Sequence, residues 1–240
     1  MKKRFLLLLL ALALAVVSCK KKDAVEGSNT SVVIPTEDEI TGLFILNEGN
    51  MTNANSSLSY YDIKADTVGN NMFYKINGSP IGDVGQSLAK IGKSMYIVVN
   101  NGRYIYKVNA ETIEYQDQIT GFSSPRYMLS LGKNKVYVSD LGSPGFWFLN
   151  LNTMDKRLVE TGKSTECMVK IGKEVFVSNW SQVYISAANN TIQVIDCETD
   201  RLVDEITVAQ EPKAMVVDKH NKLWVICNGG WDPMALQNPA

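Results

Sequence analysis

One histidine in 240 residues removes most familiar catalytic chemistry at the outset. His220 lies in a polar turn and reads as solvated, which leaves no Ser-His-Asp triad, no histidine zinc site and no histidine acid–base pair. No CxxC, P-loop or strand–GxGxxG–helix pattern occurs. Beyond Cys19, the cysteines Cys167, Cys197 and Cys227 stand 30 residues apart, a spacing that matches no metal signature, and they read as small hydrophobes in strands and turns. Glu48, Asp83, Asp140 and Asp232 fall in loops and carry oxygen ligands suited to calcium, but nothing in their spacing demands it. The expectation is therefore a protein that is not an enzyme and holds neither metal nor cofactor.

What remains is binding chemistry. Asn47, Glu48, Asn100, Arg126, Asp140, Asn179, Trp180, Asn228 and Trp231 combine amide and carboxylate hydrogen-bonders with flat aromatic surface. That set suits a large polar organic ligand, or a protein, better than a simple ion. Trp180 and Trp231 each follow an aromatic strand. Each reads either as a stacking platform at a pore mouth or as a rim aromatic packed between sheets. Trp147 and Trp224 alternate within strands and read as core. Arg126 and Lys213 each follow a proline at the start of a strand. They either meet an anionic group or pair with Asp83, Glu166 or Glu48, and pairing is the expectation.

The elements that must position these residues are copies of one unit. IGKSMYIVVN from Ile91 returns as LGKNKVYVSD from Leu131 and as IGKEVFVSNW from Ile171, with Gly92, Gly132 and Gly172 spaced 40 residues apart. A looser copy, DKHNKLWVICN, begins at Asp218. Each is a polar turn followed by a strand bearing an aromatic: Tyr96, Tyr137, Phe176 and Trp224. A period of about 40 residues is one four-stranded propeller blade. A second signal recurs in step with the first. Asn109, Asn150 and Asp196 each stand three residues before a Thr, as an Asx turn between two alternating strands requires.

Counted from the axis outward as A to D, the strands number 17: B, C and D of a first blade, three whole blades, and A and B of a last one. The fold expected is all-β, a propeller of about four and a half blades over residues 42–240. It reads as a fragment of a propeller of about seven blades, since closure removes exposed sheet edges. Alternating strand direction places the B–C and D–A connections on one face. These vary in length and chemistry, whereas the A–B turns on the other face are short and plain, so recognition is expected on the B–C/D–A face.

Ahead of the repeats, Lys2, Lys3 and Arg4 precede an apolar run from Phe5 to Val17 that is too short to span a bilayer and fits a signal peptide over residues 1–18. Ser18-Cys19 resembles a bacterial lipobox, which would make Cys19 the lipidated first residue of the mature chain and residues 19–41 its tether. Three of the 24 basic residues fall in the leader, leaving 21 against 25 acidic ones. No basic stripe is present, which argues against nucleic acid. Contact with the membrane is expected through the lipid anchor alone.

The segments GLFILNEGN, SLSYYDI, GDVGQS, IVVNN, GFSSPRYML, KVYVSDL and IQVIDCETDRLVDEI together resemble YncE-like, YVTN-type propeller lipoproteins of gut Bacteroidota, over Gly42 to about Gly230. The resemblance implies outer-membrane lipid anchoring, at the cell surface before the periplasmic face. Some relatives bind cobalamin and pass it to a TonB-dependent transporter. It thus implies capture of a nutrient, a corrinoid-like compound among the options, for such a transporter. No corrinoid contact is carried over to a residue of this chain. A protein-interaction scaffold in an envelope complex, and a propeller enzyme of lactonase or quinoprotein type, stand as alternatives.

Overall fold

The computed structural model describes residues 40–180 and 190–229. Over these the chain forms 17 strands in five antiparallel sheets with one short helix. The first sheet holds β1 (Gly42–Asn47), β2 (Ser57–Asp62) and β3 (Thr67–Gly69), followed by α1 (Met72–Asn77). The second holds β4 (Gly85–Ile91), β5 (Ser94–Val99), β6 (Tyr104–Asn109) and β7 (Tyr115–Thr120). The third holds β8 (Pro125–Gly132), β9 (Lys135–Asp140), β10 (Gly145–Asn150) and β11 (Lys156–Glu160). The fourth holds β12 (Met168–Ile171), β13 (Glu174–Ser178), β14 (Thr191–Asp196) and β15 (Arg201–Thr207), and the fifth β16 (Pro212–Val217) and β17 (Leu223–Cys227). Every sheet is ordered as the chain runs, so each is an up-and-down blade and the sheets together are a β-propeller arc.

The aromatics of the repeat occupy matching places. Tyr96 pairs with Ala89, Tyr137 with Leu129, Phe176 with Val169 and Trp224 with Val216, each near the start of the second strand of its blade. The second strands β5 and β9 are buried on both faces because each is sandwiched between neighbouring sheets. Along β5, Met95, Ile97 and Val99 pack toward Leu58, Phe73 and Ile81 of the first blade, while Tyr96 and Val98 pack toward Val136 and Val138 of the third. Tyr137 in turn joins Met168, Val175 and Val177 of the fourth. Hence a strand such as MYIVV reads as a run and not as an alternation. The outer strands alternate or are open to solvent, β15 along its whole length.

The turns follow from local chemistry. Gly92 and Gly172 both have φ of 60°, the left-handed conformation that a two-residue hairpin connection needs. The Asx turns form as spaced. Asn109 Oδ1 accepts from the N–H groups of Glu111 (2.8 Å) and Thr112 (3.1 Å), Asn150 Oδ1 from those of Asn152 and Thr153, and Asp196 Oδ1 from those of Glu198 and Thr199.

Two features differ from expectation. Trp224, read as core, is 59 % exposed. Its place is the one from which Tyr96 and Tyr137 reach the following sheet, and among the described residues no sheet follows β17. The indole Nε1 instead donates to Asp218 Oδ2 at 3.0 Å. Helix α1 was not expected at all. It follows the three-residue outer strand of the first blade, and Phe73 stacks on Tyr106 of the second with ring centroids 5.2 Å apart. Cys167, Cys197 and Cys227 are free and half-buried. No helix among the described residues is long and apolar enough to cross a membrane.

Candidate functional site

The loops named as the recognition face do meet one another. Asn100 Nδ2 donates to Ser124 Oγ (2.8 Å) and to the Pro125 carbonyl (3.1 Å). Asp83 Oδ2 accepts from the Thr52 N–H at 2.8 Å and from Asn101 Nδ2, which joins the loops of the first and second blades. Thr165 Oγ1 accepts from the Asp140 N–H and donates to the Gly145 carbonyl, each at 2.9 Å.

Several of the nominated side chains are consumed by this loop-to-loop bonding. Asp140 is fully buried, and its carboxylate accepts four donors: the N–H groups of Ser124 and Gly142 on Oδ1, and the Ser123 N–H and Trp147 Nε1 on Oδ2. Asn179, also fully buried, donates to the Ser164 carbonyl and to Gln193 Oε1 and accepts from Thr191 Oγ1. Asn47 donates to Ser57 and Ser59 across its own sheet. These residues hold the loops in place. Glu48 and Asn228 are exposed, with their backbone groups tied to Gly85 and Glu211 respectively. Cys19, Trp231 and Asp232 lie outside the described residues. No group of acidic, histidine or cysteine side chains among the described residues is arranged to hold a metal ion.

Arg126 and Glu166 come together from the innermost strand and loop of successive blades. Nε meets Oε2 at 2.6 Å and Nη2 meets Oε1 at 2.8 Å, a two-point ion pair in which both side chains are buried. Ser87 Oγ donates to the Arg126 carbonyl at 2.6 Å and extends the contact to the second blade. Above the pair lies the Trp180 ring, with the Arg126 guanidinium 5.8 Å and the Lys213 ammonium 4.8 Å from its centroid. Trp180 Nε1 donates to Glu211 Oε2 at 3.3 Å, which fixes the ring's rotation. The pairing expected for Arg126 is thus made with Glu166. Lys213 makes no ion pair among the described residues and lies over the indole. Nearby, burial pushes the Cys167 thiol and the Tyr127 hydroxyl up, so both stay protonated at neutral pH. A protonated, half-buried thiol is a poor nucleophile.

One concavity escaped the sequence reading. A pocket of about 260 Å³ opens between the β1–β2 loop and α1, over a floor of Leu58, Phe73 and Ile81. Its signal in the sequence was weak: Asn70-Asn71 ahead of an amphipathic MFYKIN, at a point where the repeat predicts only the outer strand.

The fold is shared with solved structures at low identity. With Kuenenia stuttgartiensis hydrazine synthase the TM-score is 0.59 at 16 % identity, over 83 % of this chain and 58 % of that one. With a quinonprotein alcohol dehydrogenase-like protein from Bacteroides thetaiotaomicron it is 0.56 at 12 % identity, over 78 % and 46 %. With the extracellular domain of a hybrid two-component system from B. thetaiotaomicron it is 0.54 at 15 % identity, over 73 % and 25 %. The chain spans between a quarter and three fifths of these structures' lengths, and the likeness is one of fold alone. No curated protein matches the sequence. Residues 41–230 match the family described as "Domain of unknown function (DUF5074)", and the chain belongs to that family.

Proposed function

We propose that this chain is a non-catalytic binding propeller, lipid-anchored through Cys19 at the outer membrane, that captures a polar organic nutrient of corrinoid type for a TonB-dependent transporter. The observation that carries the reading is Trp180. Its ring is oriented by Glu211 and lies near a neutralised Arg126–Glu166 pair, with the Lys213 ammonium over it. A fixed indole with a cation over it that makes no ion pair among the described residues favours a flat ligand with amide or phosphate groups at its edge. The described loop residues around it are held by Asn100, Asp140 and Asn179, which limits the ordering entropy lost there on binding. The leader and the resemblance to YncE-like lipoproteins support the anchor and the partner.

The test is retention of cyanocobalamin by the full-length protein, followed by calorimetry and by absorbance after gel filtration. Binding that weakens at least tenfold in Trp180→Ala and severalfold in Lys213→Ala supports the reading. Absence of retention for cyanocobalamin and cobinamide alike would remove the corrinoid class.

A further inference from the structure

We infer that the pocket between the β1–β2 loop and α1 is a separate ligand site that takes the uncharged, hydroxyl-bearing ring of a sugar. The inference rests on the reading of the B–C/D–A face as a binding surface, but uses none of the residues around Trp180.

Charge is the first discriminator. Among the described residues no Asp, Glu, Lys or Arg lines the pocket, so an ionic ligand would lose hydration there with no counter-charge in return. Shape is the second. Leu58, Phe73 and Ile81 are each at most 1 % exposed and form a dry apolar floor. At the mouth Tyr74 is 57 % exposed, which leaves an aromatic face open to the C–H side of a ring. A volume of about 260 Å³ lies below the roughly 300–1,000 Å³ of drug-sized sites, so one ring fits and a corrin macrocycle does not.

Unspent polar groups are the third discriminator. Asn55 accepts the Asn50 N–H on Oδ1 at 2.7 Å, while its Nδ2 has no partner among the described residues. Asn71 makes no side-chain capping bond to α1, and neither its carboxamide nor the Tyr74 hydroxyl is hydrogen-bonded among the described residues. Amides and a phenol offer donors and acceptors together, which matches sugar hydroxyls, each also both donor and acceptor.

The pocket is built before any ligand arrives. Asn77 Nδ2 donates to the Phe73 and Ile113 carbonyls, and Asn77 Oδ1 accepts the Tyr115 N–H at 2.8 Å, fastening α1 to the second blade. On the other wall the Ser56 N–H reaches the Gly82 carbonyl (3.2 Å) and Tyr104 OH the Ile81 carbonyl (2.7 Å). A ring entering this space therefore finds its walls already set.

The experiment is a titration of ¹⁵N-labelled full-length protein with glucose, galactose, mannose and N-acetylglucosamine, with glucuronate as the charged comparison. At least one neutral sugar is expected to shift the amides of Asn71, Phe73 and Tyr74 saturably, with glucuronate binding at least fivefold more weakly. Tyr74→Ala and Asn71→Gly, the latter keeping the left-handed backbone at that position (φ 55°), are each expected to weaken binding at least fivefold. Trp180→Ala is expected to leave sugar binding unchanged. If none of the four sugars moves those amides, or if both pocket variants bind like the parent, the inference is overturned. Cyanocobalamin in the same preparation separates the two readings. Corrinoid binding with silent sugars removes only the pocket assignment, and sugar binding without corrinoid binding removes only the corrinoid assignment.

Discussion

Arg126 and Glu166 stand 40 residues apart, one full repeat, and meet in a buried two-point ion pair that joins the inner edges of two successive blades. Removing one partner strands the other charge where water cannot reach it, which costs about 3–5 kcal/mol, whereas replacing both by apolar residues of similar volume is often close to neutral. Glu166→Leu should therefore lower unfolding free energy by about 3–5 kcal/mol. The double variant Arg126→Met/Glu166→Leu should recover most of that loss. Urea denaturation of the four proteins of the cycle gives the coupling directly. A double variant whose loss equals the sum of the two single losses would show that the pair is not coupled.

The repeat was legible because blade geometry repeats at every level. The 40-residue spacing, the aromatic of the second strand and the Asx turn each arise from a local requirement met again in each blade, so three independent signals agreed on register. Where the chain departs from repetition the sequence was silent. Helix α1 and its pocket follow the three-residue outer strand β3, and their anchor, Asn77, acts on Ile113 and Tyr115 of the next blade. Contacts between residues so far apart leave no periodic trace. The site residues illustrate the same limit. Asn100, Asp140 and Asn179 were nominated as loop polar groups, and residue type alone does not reveal whether such a group faces a ligand or, as here, the neighbouring loop.

Asp140 supplies a second prediction. Its carboxylate collects four donors from two loops and an indole. Asp140→Asn replaces one acceptor oxygen with a donor and sets N–H against N–H. With charged hydrogen bonds worth about 1.5–3 kcal/mol each, and unsatisfied buried groups costing about 1–3, a loss of about 3 kcal/mol or more is expected. Amide exchange at Ser123, Ser124 and Gly142 should accelerate in the variant well beyond that at Val136 or Val138 in the same blade. Uniform acceleration across the blade would instead mean global destabilisation without local loosening.

A third concerns the core between the second and third blades. Val98 is fully buried, and its neighbours Tyr96, Ile105, Val136 and Val138 come from both sheets. Val98→Ala removes two methyl groups from a packed inter-blade layer and should cost about 2–3 kcal/mol. Val203, on the exposed outer strand β15, is 55 % accessible, and Val203→Ala should cost well under 1 kcal/mol. Thermal melts of the pair test whether stability resides between the blades.

A fourth lies in alkaline solution. The Tyr137 hydroxyl is held well above its ordinary value, chiefly by burial and then by its hydrogen bond to Asp200, which also pairs with Lys135 and Arg157. In the unfolded chain this phenol ionises near pH 10, while in the folded chain it keeps its proton. The folded state binds more protons above that point, so stability falls as pH rises past about 10. Tyr104, raised chiefly by burial, adds to the fall in the same direction. Tyr137→Phe should be less stable at neutral pH, through loss of the Asp200 contact, yet lose less on going from pH 9 to pH 11. Parallel stability curves for the two proteins would exclude Tyr137 as a source of the slope.

A fifth lies in acid. The Asp196 carboxyl is held below the usual carboxylate range, chiefly by the Thr199 N–H and then the Glu198 N–H of its Asx turn. Because the folded value lies below the unfolded one, its contribution is fully present above about pH 4 and is lost as pH falls through the folded value. Asn109 and Asn150 make the same turn with a side chain that does not titrate in this range. Asp196→Asn should therefore keep the turn, as it is kept in the second and third blades, and flatten that part of the acid slope. Asp196→Ala should lose the turn at every pH. Denaturant midpoints of the three proteins at pH 7 and pH 3 distinguish these outcomes, and a slope unchanged in Asp196→Asn would show that the acid sensitivity comes from other carboxylates.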